Sequence, residues 1–324
     1  MSRVIVTGAN GLLGTNVIIE LLLRGYSVRG LLRNTDSFSY EKHPNLELTQ
    51  GDFTNTGTAD KALRDCDHLI HVAAVARHYY PRYSDYRDVN AVATENLVQL
   101  AIKEGLKTFV YISSANVFGY GARGDPGDEN REIAKPFSDS HYVQSKLEGQ
   151  RLALKYKKEI RVIVVNPTMM LGSFDSKPSS GQIILRGLRK VVFYPPGGKN
   201  FVHVQDVAKG IVNALETGQN GEAYILSNEN LTYKEFFEKV SSLANHHPVY
   251  IEIPGFILIP LGILGNCIRT LGLKTNLSLP NVKMLCESNY YSNQKAKTEL
   301  NLTFQPVDNA IEDALNWFRE RGVI

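Results

Sequence analysis

The sequence predicts an α/β protein built on a doubly wound parallel sheet, with a smaller, mostly helical C-terminal cap. Three observations carry this expectation. Short β-branched runs alternate with longer helical patterns over the first two-thirds of the chain. Those runs are apolar at successive positions, as strands covered by helices on both faces must be. After Asn166-Pro167 the rhythm loosens into loops and then into mainly helical sequence.

Taken in order, strands are expected at Arg3–Thr7, Ser27–Leu32, Leu46–Gln50, His68–Val72, Thr108–Ile112 and Arg161–Val165. Helices are expected between them at Leu12–Arg24, Thr58–Arg64, Ala91–Glu104 and Ser140–Tyr156. Parallel strands joined by such crossovers place a ligand crevice at their carboxyl ends. "GSFDSKPSSG" and "YPPGGKN" read as loops. Phe201–Val204 and Ala223–Leu226 are expected to return to the sheet as late strands. The expected division is a sheet domain over residues 1–170, rejoined by 200–228, and a substrate-binding cap over 171–199 and 229–324.

The 324 residues are 43% hydrophobic and 21% charged, with a net charge of +3, too mild and dispersed to imply a nucleic-acid partner. Cys66, Cys267 and Cys286 lie far apart with no metal-ligand spacing, so no metal is expected and a reducing cytoplasm is favoured. Strand-like Val4-Ile5-Val6 follows Arg3 at once, so no signal peptide is expected. The segment Gly255–Gly272 is strongly apolar, but Pro260, Asn266 and Arg269 interrupt it well short of the roughly 20 residues a membrane span needs. Its Phe256, Ile257, Leu258, Leu261 and Leu264 are expected to pack within the cap or border the substrate.

"VIVTGANGLLG" spaces Gly8, Gly11 and Gly14 as G-x-x-G-x-x-G between a strand and a helix. Glycines there permit a tight turn and close approach of a pyrophosphate to the helix N-terminus, with its free N–H groups. The other reading is a strand–helix turn without a ligand. The second strand ends in Arg33 where NAD proteins carry a carboxylate for the ribose 2′-OH. A guanidinium suits a 2′-phosphate, so NADP is expected, with NAD as the alternative if Asp36 reaches back to the ribose.

"HYVQSKLEG" sets Tyr142 and Lys146 four residues apart on one helix face. A phenol exchanges protons near neutrality only with help, and a neighbouring ammonium is expected to lower its pKa. "FVYISSANVFG" sets Ser113 and Ser114 at the end of the fifth strand, where a hydroxyl can bind a substrate carbonyl or cap a turn.

Glycine loop, strand-end serine and Y-x-x-x-K together resemble the extended short-chain dehydrogenase/reductase family, whose loop reads T-G-x-x-G-x-x-G, here Thr7 to Gly14. "GDFTN", "HVAA", "DVNAVATENL", "NPTMMLG", "FVHVQDVAKG" and "YYSNQKAKTELNLTFQP" extend the resemblance over nearly the whole chain. It implies a Rossmann-type fold and a catalytic trio of Ser114, Tyr142 and Lys146. The serine is Ser114 rather than Ser113 because it lies five residues before Gly119. The resemblance further implies cofactor contacts from Gly8, Asn10, Gly11, Leu12, Leu13 and Gly14, and from Arg33, Asp52 and Phe53. Ala73, Ala74, Asn166, Pro167, Tyr142 and Lys146 complete that set. It also implies a homodimer through the Ala91–Glu104 and Ser140–Tyr156 helices.

Within that family, sugar dehydratases carry an Asp-Glu pair where this chain has Ala115 and Asn116. Epimerases use cationic phosphate partners, for which Lys177, Arg186 and Arg189 are the candidates here. "VRGLLR" and "PTMMLG" look like the dihydroflavonol 4-reductase branch. The expected activity is thus NADP-dependent reduction of a small-molecule carbonyl substrate in an apolar pocket bordered by Phe118, Tyr120, Phe193 and Tyr194. The alternatives are an NAD-dependent nucleotide-sugar epimerase and a non-enzymatic dinucleotide-binding scaffold.

Overall fold

The computed structural model describes residues 2–176 and 178–324. Strand β1 (Arg3–Thr7) leads through a glycine turn into helix α1 (Leu12–Leu23), then β2 (Ser27–Leu32), β3 (Leu46–Gln50), α2 (Thr56–Leu63) and β4 (His68–His71). The short α3 (Ser84–Arg87) runs through a π-turn at Asp88–Val92 into α4 (Ala93–Lys103), where the sequence suggested one helix from Ala91. Next come β5 (Thr108–Ile112), α5 (His141–Lys155), β6 (Arg161–Pro167), β7 (Met169–Leu171), α6 (Gln182–Gly187), β8 (Val191–Tyr194), β9 (Gly198–His203) and α7 (Val204–Thr217). The chain closes with β10 (Ala223–Leu226), β11 (Glu229–Thr232), α8 (Tyr233–Leu243), β12 (Val249–Glu252), α9 (Gly255–Thr270), α10 (Leu279–Cys286), β13 (Ser288–Asn289), α11 (Gln294–Glu299) and α12 (Val307–Glu320).

Seven strands form one sheet in the order β3-β2-β1-β4-β5-β6-β10. Every neighbouring pair is parallel. The strand order reverses between β1 and β4, which opens the crevice of a doubly wound sheet at their carboxyl ends. Successive residues of β1 serve opposite layers. Val4 and Val6 pack with Val17 and Ile18 of α1 and Ile211 of α7, while Ile5 packs with Leu63 of α2 and Leu97 of α4. Gly30 lets the glycine turn and α1 lie close on β2, since a Cβ there would press on Ala9 of the turn and Leu48 of β3 and touch Ile18 of α1.

One expected strand went elsewhere. Ala223–Leu226 joins the large sheet beside β6, but Phe201–His203 lies in β9, which pairs with β7, β11 and β13 in a separate small sheet. The reason is packing: Phe201 stacks on Phe236 of α8 with ring centroids 4.1 Å apart. It joins a second core made by α6, α8 and α12, with Trp317 and Phe318.

Segment Gly255–Gly272 also departs from expectation. Leu258 is buried, but Phe256, Ile257, Leu261 and Leu264 are exposed rather than covered by the cap. No helix among the described residues is long and apolar enough to cross a membrane.

Candidate active site

Because all seven strands run the same way, the predicted residues at their ends collect along one edge. Gly8 follows β1, Arg33 follows β2, Asp52 and Phe53 follow β3, Ala73 and Ala74 follow β4, Ser114 follows β5, and Asn166-Pro167 close β6. Gly8 adopts φ +67°, and a Cβ on it would come within 2.9 Å of Ala73 backbone atoms. A Cβ on Gly14 would overlap the Gly8 carbonyl oxygen. Gly11, exposed, caps α1 with no side-chain hydrogen bond, so the first-turn N–H groups keep their donors and dipole for an anion. Leu12 and Leu13 are buried at this turn. Asn10 donates to the Ser37 hydroxyl at 2.6 Å, tying the loop to the segment just past Arg33. The cradle fits a dinucleotide pyrophosphate.

Arg33 is exposed and, among the described residues, makes no ion pair, so its guanidinium is free for an anion. Asp52 accepts from the Thr54 N–H at 2.9 Å and hydroxyl at 2.7 Å, which leaves its other oxygen for a ligand. Phe53 meets the His71 ring edge-on at 5.1 Å. The Ala73 N–H donates to Thr7 Oγ1 at 3.2 Å.

Ser114 and Tyr142 meet at a cavity of about 700 Å3, lined also by Leu13, Ala74, Ser113, Lys146 and Pro167. Ser114 Oγ accepts the Asn116 N–H at 3.3 Å and caps a short turn at Ala115–Val117. Asn166 Nδ2 donates to the Ser114 carbonyl at 3.1 Å and to Gln150 at 3.0 Å, fixing the end of β6 against this turn. Buried Ser113 Oγ has no hydrogen-bond partner.

Lys146 is buried and donates to the Ile112 carbonyl at 2.6 Å, with its Nζ 4.3 Å from the centre of the Tyr111 ring. Burial lowers its pKa from 10.5 to about 7. Tyr142 goes the other way from expectation. Burial pushes its phenol up to about 12, and the hydroxyl that opposes this is that of Ser114 rather than the Lys146 ammonium. Desolvation penalises phenolate and ammonium alike, so it moves both groups toward their neutral forms.

Asn90 ties the site to its scaffold. Its side chain accepts the Val75 N–H at 2.8 Å and donates to the Val75 carbonyl at 3.0 Å and to Ser145 Oγ at 2.9 Å. The π-turn sets Asn90 so that the loop after β4 is strapped to the helix bearing Tyr142 and Lys146. His71 is a satisfied core histidine between Thr7 (2.8 Å) and Thr94 (3.1 Å), and burial lowers its pKa to about 3. His203 caps α7 through the Gln205 N–H, and Asp206 accepts from Gln305.

The pocket wall differs from expectation. Phe118 and Tyr120 pack on Ala115 and Tyr291 away from the cavity, Phe193 is exposed on β8, and Tyr194 packs against the second core. The cavity meets Met169, Met170, Tyr79, His78, Lys199, Arg186, Asn116 and Asn289 instead. Lys199 was missed as a pocket residue. The ring of His78 lies 4.6 Å from that of Tyr142, and burial with the nearby Lys199 and Arg269 lowers its pKa to about 4. From its place after β4, the stretch "RHYYPRY" (Arg77–Tyr83) reads as bordering the substrate or forming a loop, and it brings Arg77, His78 and Tyr79 to the cavity, whereas nothing local marks Lys199. Arg189 does not line the cavity, and Lys177 lies outside the described residues.

The model of the NAD-dependent epimerase/dehydratase family matches residues 4–227, which carry the large sheet and every residue of the trio. The chain belongs to that family. It is an NAD(P)-dependent oxidoreductase of the epimerase/dehydratase type. It is 30% identical, over 98% of its length and 95% of the relative's, to a provisionally named dihydroflavonol 4-reductase of Synechocystis sp.. Sterol demethylase protein B of Methylococcus capsulatus is 27% identical over 99% of both chains. Among solved structures, gox2253 is 31% identical and superimposes with a TM-score of 0.85 over 99% of both chains. The UDP-glucuronic acid 4-epimerase of Bacillus cereus, at 18% identity and a TM-score of 0.79 over 98% of this chain and 99% of the other, shares the fold.

Proposed function

We propose that the protein is an NADP-dependent carbonyl reductase. The observation that carries this reading is the convergence of Ser114, Tyr142 and Lys146 on one cavity beside the glycine turn. The uncapped N-terminus of α1 suits a pyrophosphate, and the unpaired Arg33 suits a 2′-phosphate. Asp52, Phe53, Ala73, Ala74, Asn166 and Pro167 line the same strand-end edge and complete the proposed cofactor contacts. When bound, the dinucleotide supplies hydride to the carbonyl carbon.

The remaining work falls to the chain's own groups. Tyr142 holds a proton at Oη, and its raised pKa keeps it protonated through the physiological range, as a general acid requires. Ser114 Oγ orients the carbonyl oxygen beside that phenol. Lys146, one turn along α5 and anchored on the Ile112 carbonyl, is the group that would hold the ribose. Ala115 and Asn116 supply no carboxylate for water elimination. The full-length likeness to the reductase-named relative supports the same branch.

Epimerisation of a nucleotide sugar is the second reading, favoured by Arg186 and Lys199, two cations on the cavity that suit a diphosphate. Incubation with NADPH and a panel of aldehydes, ketones and UDP-sugars separates the two. The reductase reading expects NADPH oxidation with an aldehyde or ketone. Interconversion of UDP-sugars without net NADPH oxidation would overturn it.

A further inference from the structure

Exposed large apolar side chains are concentrated in one region. Outside residues 191–277, the only ones among the described residues are Leu23, Val323 and Ile324. Helix α9 is the centre of the region. Its buried positions form a single stripe of Leu258, Gly262 and Gly265, i, i+4 and i+7, which packs on α10 and the segment before it, and Asn266 and Arg269 add hydrogen bonds near its C-terminal end. A Cβ on Gly262 would come within 3.0 Å of the Leu279 backbone, and one on Gly265 would overlap the Leu277 carbonyl. Around the rest of its circumference the helix presents Phe256 (75% exposed), Ile257, Ile259, Leu261, Ile263 and Leu264 (58% exposed).

Two features of this face say what covers it. From Phe256 to Leu264 every exposed side chain of the helix is apolar, so the exposed ridge of these turns carries no polar side chain. A flat protein surface meets only part of such a ridge, whereas lipid chains conform to all of it. Its charge is one-sided: from Ile253 to Cys286 there is no Asp or Glu, and the exposed ionic side chains are Lys274 and Lys283. The flanking carboxylates, Glu252 and Glu287, lie beyond the two ends. Lys274 is exposed with its ammonium 4.8 Å from the centre of the Tyr80 ring, and Lys283 is exposed on α10. An apolar helix followed by exposed lysines and no carboxylate matches the acyl boundary and phosphate layer of an anionic bilayer.

We propose that α9 and the segment leading to α10 dock on the surface of an anionic phospholipid membrane. The aliphatic ridge enters the acyl boundary, and Lys274 and Lys283 meet the lipid phosphates. The inner end of the same helix faces the active site. Asn266, Arg269 and Thr270 line a cleft of about 310 Å3 whose other wall is His141 and Tyr142. Arg269 and Asn281 both donate to the His78 carbonyl, joining the docked hairpin to the loop that walls the main cavity. Docking therefore sets the mouth of this cleft beside the lipid. The proposal does not depend on which reaction the trio performs.

The test is vesicle flotation of the full chain, with phosphatidylcholine alone and with phosphatidylcholine containing phosphatidylglycerol. The unmodified protein is expected to float with the anionic vesicles, less so as salt is raised. The double variant Leu261→Gln, Leu264→Gln should lower partitioning on both vesicle types by roughly 10- to 100-fold. The double variant Lys274→Gln, Lys283→Gln should lower it by roughly fivefold per lysine, on anionic vesicles only. An unchanged melting temperature and NADPH titration establish that each variant is folded. If the leucine variant does not fold, the lysine variant and the salt series decide the matter. Failure of the unmodified protein to float with either vesicle, or equal flotation of a folded leucine variant, would overturn the proposal. So would a dimer in sedimentation velocity that the leucine substitutions dissociate while no vesicle is bound.

Discussion

Replacing Lys146 by methionine tests the electrostatics of the site through stability alone. Lys146 is only 2% exposed, and burial lowers its pKa from 10.5 to about 7. In the unfolded chain the amine regains its ordinary value. Between pH 7 and 10.5 the unfolded chain therefore binds one more proton than the folded one. Over that window the stability of the unmodified protein rises by about 1.36 kcal/mol per pH unit. The penalty of burying the ammonium is full below pH 7 and gone above 10.5. Methionine does not titrate, so the stability difference should move toward the unmodified protein by about 2.5 kcal/mol between pH 7.5 and 9.5. Loss of the bond to the Ile112 carbonyl adds an offset on the order of 1–3 kcal/mol, but this is the same at each pH and leaves the slope untouched. Buried Trp317, the single tryptophan, reports urea unfolding at pH 7.5, 8.5 and 9.5. A difference flat to within about 0.5 kcal/mol across that range would mean that Lys146 keeps an ordinary pKa and that the burial argument is wrong.

Two further substitutions address chemistry and cofactor. Tyr142→Phe should cut turnover by roughly 100-fold or more while dinucleotide affinity holds, measured as kcat beside a cofactor titration. Near-normal kcat would remove Tyr142 as the proton donor. Arg33→Ala should weaken NADPH binding by about tenfold or more and leave NADH nearly unchanged, by fluorescence or calorimetric titration. Equal affinities of the unmodified protein for the two cofactors would sink the 2′-phosphate role.

The residues at the strand ends were legible from the chain alone because parallel strands repeat one local grammar. Arg3–Thr7, Ser27–Leu32, Leu46–Gln50 and Thr108–Ile112 stand where their β-branched runs predicted. The turn after β1 and the i, i+4 spacing of Tyr142 and Lys146 are likewise properties of near neighbours. Such features depend on backbone sterics and helical pitch, which each short stretch carries with it. Contacts across the fold were not legible in that way. The same β-branched pattern that sends Ala223–Leu226 to β6 sends Phe201 to a second core, because the choice rests on Phe236, a distant residue. Lys199 reaches the cavity from a separate segment, with no local signal that says so, whereas His78 belongs to a stretch whose place after β4 already put it near the crevice. The pKa of Tyr142 rises because desolvation by the assembled walls outweighs what a spacing argument assigns to Lys146. The exposure of α9 also had to come from the tertiary structure. An apolar helix looks the same in sequence whether its sides meet protein or not, and only packing shows that a single narrow stripe of it is covered.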